Sequence, residues 1–425
     1  MPLLHRYAPL MRALTLTGIV ALAACDAPSP TDLASDAGRR LAFAADEVTT
    51  PADGPWARII EGTTGPGSRY ALYIPREWNG DAVYYAHGFR DAATPVDLRD
   101  QDQLFALRTT LGERGFAVAY SSFAENGFVV KDGAQRTHQL RGLLASALGG
   151  QPARSFLAGH SLGGGIALEL AQRYPTQYDG ALLMCGMVGG ATLQTQYLGH
   201  VRALADVYFP GRFPGNAIAV PDGTVITLPD VVAAVSSNPA GLYAIASMSQ
   251  TPLPFAPVGS VLNPSSTAFG SLVGSLYAAL SFHARGINNV VDLVHGKSPF
   301  DNTDTEYSLS VPPIVPGLEP MVALANGTVG RFRMPPSAES YLEKYFEPTG
   351  VLAFPVLSIH NAFDPAVPVF HERVLLERAI ATGAAGNLLQ RTVPTYGHCA
   401  ISAGQVAQGF LDLAGWVDTG IKPAN

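Results

Sequence analysis

Apolar runs of strand length alternate with amphipathic helical patterns along most of this chain. "SRYALYIP" and "DAVYYAHGF" read as strands, "LRDQDQLFALRTTLGERG" as a helix, "FAVAYSSF" as a strand and "GAQRTHQLRGLLASALG" as a helix. The strand "ARSFLAG", the helix "LGGGIALELAQRYP" and the strand "YDGALLMCGMV" continue the series. "FPVLSIH", "VFHERVLLERAIATG", "LLQRTVPTYG" and "QVAQGFLDLAGWVDTG" resume it near the C-terminus. Parallel neighbours need a crossover between them, and a helix with one apolar stripe must bury that stripe on a sheet face. The expected fold class is therefore α/β, a doubly wound and mostly parallel sheet. Between 188 and 350 the alternation fails and Pro, Gly and apolar residues dominate, with helical stretches such as "LPDVVAAVSSNP" and "TAFGSLVGSLYAALSFHARG". This stretch is expected to be an inserted, mainly helical cap over the C-terminal edge of the sheet.

With 425 residues, 47% of them hydrophobic and 14% charged, the chain can bury a large core. Its net charge of −7 carries no long Lys/Arg run, which excludes the electrostatic footprint of a nucleic-acid partner. At the N-terminus His5, Arg6 and Arg12 precede "ALTLTGIVALAAC", an apolar segment of signal-peptide length. Its end, Leu22-Ala23-Ala24-Cys25, resembles the lipobox of bacterial lipoproteins, which implies lipidation at Cys25. The Ala-, Asp-, Ser-, Thr- and Pro-rich stretch that follows has no periodic apolar face and reads as a flexible tether. The expected organisation is a signal peptide over 1–24, a lipidated tether over 25–60, a core over 61–187 and 351–425, and the cap over 188–350. The expected location is exported, in a bacterial cell envelope, with a lipid anchor in the membrane.

One serine stands where an apolar strand stops and a helix begins, in Gly159-His160-Ser161-Leu162-Gly163. That G-x-S-x-G in strand–turn–helix context marks a nucleophile: the turn is so tight that side chains two positions either side of Ser161 would strike backbone. The helix start also aims positive dipole at the place where an oxyanion would form. A serine needs a base, and the base needs an orienter. His398 in "VPTYGHCA" follows the last expected strand and is the base candidate; Asp364 in "PVLSIHNAFDPAVP" follows a late strand and supplies the acid, completing the chain order Ser, Asp, His. His87, His138, His160, His200, His283, His295, His360 and His371 read as other-motif or structural histidines, and Asp301 and Asp304 as cap residues. The oxyanion donors are expected to be the amides of Leu162 and of Phe89, the latter turned inward by Gly88. No metal or organic cofactor is called for.

On "YAHGF", "GHSLGG", "NAFDPAVP" and "YGHC" the chain resembles the α/β-hydrolases over about residues 65–187 and 350–420. The resemblance implies an eight-stranded sheet and, most often, hydrolysis of a small-molecule or polymeric ester through an acyl-enzyme. Tannases and feruloyl esterases are similar in placing a cysteine, here Cys399, beside the histidine; the position of their partner cysteine is His160 in this chain. Cys185 ends the strand after the nucleophile helix, so either a Cys185–Cys399 bridge or two buried thiols fits. Serine carboxylesterase or lipase is the favoured activity, with an amidase or peptidase next and a non-catalytic envelope binding protein last.

Overall fold

The computed structural model describes residues 48–51, 54–99, 102–252, 258–310 and 314–424. The leader and the lipidation candidate Cys25 lie outside the described residues.

Among the described residues nine strands form one sheet: β1 (Val48–Pro51), β2 (Trp56–Thr63), β3 (Arg69–Pro75), β4 (Asp81–Ala86), β5 (Ala117–Ser121), β6 (Arg154–His160), β7 (Gly180–Met184), β8 (Val356–Phe363) and β9 (Leu388–Tyr396). Their order is β1-β2-β3-β5-β4-β6-β7-β8-β9. β1, β2 and β3 join antiparallel, β3 meets β5 antiparallel, and every later pair is parallel. This is the α/β-hydrolase fold. β1 and residues 56–60 of β2 fall inside the stretch expected to be tether, because β2 offers little alternation to read. Its buried anchors are Trp56 and Ile60, and its pairing with β3 slips between Trp56 and Arg58. β1 then adds a ninth strand to the eight implied by resemblance.

The helices are α1 (Asp102–Glu113), α2 (Val130–Leu148), α3 (Leu162–Arg173), α4 (Ala191–Tyr208), α5 (Leu228–Ser237), α6 (Pro239–Ser249), α7 (Val258–Val261), α8 (Thr267–Leu293), α9 (Glu319–Thr328), α10 (Pro336–Phe346), α11 (Phe370–Ala381) and α12 (Ala403–Thr419). Successive strand side chains face opposite ways, so Ala82, Tyr84 and Ala86 of β4 join the core under α2 and α3 while Val83 and Tyr85 join the one under α1 and α12. All six β4 residues are buried, as a strand covered on both faces requires.

The insertion between β7 and β8 builds its own apolar core from α4, α5, α6 and α8. α8 is 27 residues long, about 40 Å at 1.5 Å per residue, and buries Leu272, Leu276, Leu280, Ala284 and Ile287 at helical spacing. Among the described residues no single helix is long and apolar enough to cross a membrane.

The strand order positions the site. From β4 the chain crosses outward to β5 and returns to β6 on the other side, so the loops leaving β4 and β6 part at a topological switch point, where α/β sheets hold ligands. Ala86 pairs with Gly159, His160 with Met184, and Met184 with Ile359, which aligns the C-terminal ends of β4, β6, β7 and β8.

Candidate active site

Ser161 caps α3 with φ 54° and ψ −124°, a backbone conformation that costs a side-chain-bearing residue on the order of 1–3 kcal/mol. Flanking structure holds it there. The Ser161 N–H donates to the Met184 carbonyl at 2.9 Å, and the Met187 N–H donates to the Ser161 carbonyl at 3.1 Å. The turn is tight enough that a Cβ on Gly163 would sit 2.6 Å from the backbone carbon of Ala86 and from the His87 oxygen.

Asp364 follows β8 where its pairing with β9 slips between Asn361 and Phe363, and His398 follows β9. The Gly397 N–H donates to Phe363 O at 3.1 Å, and Asn361 Nδ2 donates to the Gly397 carbonyl, tying the two loops together. His398 Nε2 lies 2.8 Å from Ser161 Oγ, and its Nδ1 lies 2.8 Å from Asp364 Oδ2 and 3.1 Å from Oδ1. Asp364 is fully buried and also accepts from the amides of Ala366 (2.9 Å), Val367 (3.0 Å) and Cys399 (3.2 Å). Burial would raise its carboxyl; the charge and hydrogen bond of His398, with His360 and the Val367 amide, outweigh burial and hold it below the usual range. With the carboxylate ionised, His398 carries its proton on Nδ1 and presents a bare Nε2 to the serine.

His160 and His87 brace the loop after β4. The Gly88 N–H donates to His160 Nε2 at 3.2 Å, so the ring proton is on Nδ1, which faces Tyr85 Oη at 2.6 Å. Burial, then the charges of His87, His398 and Arg90, push His160 well below its ordinary value and keep it neutral. Gly88 has no room for a side chain, since a Cβ there would stand 2.7 Å from His160 Nε2 and 3.2 Å from Ser161 Cβ. His87 stacks on Phe123 with centroids 3.9 Å apart, and burial, with the Arg90 charge beside it, lowers it to about 3.

A small cavity of about 60 Å³ opens beside Ser161. Its walls are apolar: Phe89, Phe128, Leu162 and Met187 from the core, Leu198 from α4, and Phe282, Ile287 and Val290 from α8. Phe282 stands edge-on to the His398 ring at 5.5 Å and faces Phe89 at 6.2 Å. The cap sequences "YAIASMSQTPLPFAPVGSVL" and "SLVGSLYAALSF" supply only Phe282 to this lining; their other described apolar residues pack largely within the cap core. Sequence reasoning did not find Gln194 and Thr195 of α4, which reach the cavity, nor Tyr197, whose hydroxyl donates to Pro365 O at 2.9 Å behind Asp364.

The structure joins Cys185 and Cys399 by a disulfide, with Cα atoms 5.2 Å apart, linking the end of β7 to the residue after His398. Asp301 accepts from Thr303 and from the Met334 amide within the cap. Among the described residues no group of three or more His, Cys, Asp and Glu is placed to hold a metal.

Sheet order, serine turn and inserted cap together define the class: a hydrolase of the serine type on the α/β-hydrolase fold. The family model of the serine aminopeptidases, S33, matches residues 129–246, which contain Ser161. No curated protein matches the sequence. Among solved structures, feruloyl esterase B from Aspergillus oryzae is similar at 14% identity and TM-score 0.45, over 88% of this chain and 83% of that one. Candida antarctica lipase A shows 14% identity and TM-score 0.44, over 90% and 83%. A rice cell wall degrading esterase, LipA from Xanthomonas oryzae, shows 14% identity and TM-score 0.38, over 86% and 90%.

Proposed function

We propose that the protein is an exported serine esterase that cleaves carboxylic esters through an acyl-enzyme. The observation that carries this reading is the unbroken hydrogen-bonded line Ser161–His398–Asp364, opening onto an apolar cavity. Ser161 Oγ attacks the ester carbonyl while His398 Nε2 takes its proton, and Asp364 holds the imidazole in the productive tautomer and stabilises its charge. The amides of Phe89 and Leu162 receive the oxyanion. Gly88 has committed its N–H to His160, so Phe89 offers the next amide of that loop; Leu162 opens α3, where an N–H has no partner within the helix. His398 then returns the proton to the leaving alcohol, activates a water for the second attack, and regenerates the serine.

The match to serine aminopeptidases makes amide cleavage a second reading. The cavity favours the ester: among its described lining residues none is a carboxylate that could hold the free amino group of a peptide. Export with a lipid anchor at Cys25 rests on the N-terminal sequence and is supported by the disulfide, which an oxidising compartment sustains. Fractionation of cells carrying Cys25→Ser tests it: release from the membrane fraction is expected, and unchanged membrane attachment would contradict it.

The test of activity is hydrolysis of p-nitrophenyl esters from acetate to palmitate by wild type and Ser161→Ala. The expected result is turnover by wild type and a loss of about 10⁴-fold or more in the variant. Full activity in Ser161→Ala, or turnover of aminoacyl anilides with none of the esters, would overturn the reading.

A further inference from the structure

Behind Asp364 a series of buried groups forms one directed chain of hydrogen bonds. The Gly189 N–H, just beyond β7, donates to His371 Nδ1 at 3.0 Å. His371 Nε2 faces Gln194 Oε1 at 3.0 Å, and Gln194 Nε2 donates to the Ala366 carbonyl at 2.7 Å. The Ala366 carbonyl belongs to the same peptide unit as the Val367 N–H, which donates to Asp364 Oδ1 at 3.0 Å. His371 is fully buried and Gln194 nearly so. The Gly189 amide requires a bare Nδ1, so His371 must be the neutral Nε2–H tautomer, and this in turn orients the Gln194 amide with its nitrogen toward Ala366. Every donor then points toward the carboxylate, and bonds aligned in this way polarise one another. Gln194 sits on α4, the first helix of the cap, and also lines the cavity beside Ser161.

We infer that Gln194 and His371 are positioning residues for the Ser161–His398–Asp364 reaction: they lock the Asp364–Val367 turn to cap helix α4, and so fix the carboxylate that orients His398. The inference rests on the triad reading above. It makes α4 a fixed part of the active site, in which a group bound in the cavity touches the same amide that steadies the acid. A residue serving only as cavity wall would act on substrate fit; a positioning residue acts on the base whatever the acyl group.

The experiment uses the full exported protein and p-nitrophenyl acetate, the shortest acyl group of the ester series. Gln194→Met and His371→Phe are expected to lower kcat by about 10- to 100-fold, with KM held within about twofold. His371→Gln, which can accept from Gly189 and donate to Gln194, is expected to keep most of the activity. The double variant Gln194→Met/His371→Phe should lose no more than the worse single, since both break one chain. Unchanged kcat on acetate, with KM altered only for longer esters, would overturn the inference, as would additive losses. A measurement on the wild type needs neither turnover nor a variant: ¹⁵N spectroscopy should find His371 as the Nε2–H tautomer at neutral pH, and the Nδ1–H tautomer would overturn the relay. Failure of the esterase reading is separable, because it would show as absent turnover or as an active Ser161→Ala while the His371 tautomer is read independently.

Discussion

The backbone amide of Cys399 donates to Asp364 Oδ2 at 3.2 Å, the same oxygen that His398 Nδ1 approaches to 2.8 Å. The residue that follows the base thus grips the acid, and its own side chain is tied through the disulfide to Cys185 at the end of β7, beside the serine turn. Loops from three strands are closed into one ring. Reduction, or Cys185→Ser with Cys399→Ser, is expected to cost about 2–5 kcal/mol of stability and to lower kcat by loosening the His398 loop. Calorimetry and ester hydrolysis with and without dithiothreitol check this; an unchanged melting temperature and rate in the reduced protein would contradict it.

Two glycines of the serine turn separate close approach from convenience. Gly163→Ala would drive a Cβ into the backbone of Ala86 and His87, and is expected to cost about 3 kcal/mol or more with loss of activity. Gly165→Ala meets nothing nearer than the Met187 carbonyl at 3.4 Å and gains helix propensity, so its effect should stay within about 1 kcal/mol. Urea unfolding of the two variants is the check.

Gly163 was legible in the sequence because the turn is local, and the same holds for Ser161 at a strand–helix junction and for Asp364 and His398 after late strands. The structure brings all three together. What was not legible depends on distant segments meeting. Gln194 looks like any helical glutamine until α4 is laid against the Asp364 turn, and His371 like a helix-start histidine until Gly189 arrives beneath it. Phe282 was one apolar residue among many in a cap whose composition serves its own core and the cavity equally. The first part of β2 reads as tether because its apolar residues Trp56, Ala57, Ile59 and Ile60 do not alternate, and the register slip between Trp56 and Arg58 is what breaks the period.

Buried histidines set the response to acid. Burial is the first cause that lowers His87 and His371 to about 3, His200 and His283 to about 4, and His160 well below its ordinary value. Each is neutral when folded and takes up a proton on unfolding below 6.5, so the stability they contribute is full above that value and lost as pH falls toward their folded values. His360 runs the other way: burial opposes its charge, but Glu372 at 3.1 Å raises it, and the stability it adds is present below 6.5 and lost as pH rises through its raised value. Stability should therefore fall on acidification from pH 6.5 to 4, by about 1.4 kcal/mol per pH unit for each proton taken up. Urea unfolding at pH 7, 5.5 and 4.5 measures it, and a flat or rising stability over that range would contradict the assignment.

The central claim is that Ser161 is the nucleophile, activated by His398. Mass spectrometry of the intact protein after treatment with a fluorophosphonate tests it without any choice of substrate. One adduct, mapped to the peptide containing Ser161 and greatly slowed in His398→Ala, is the predicted result. Ester hydrolysis that persists with Ser161 unmodified, or an adduct on a different serine, would contradict it.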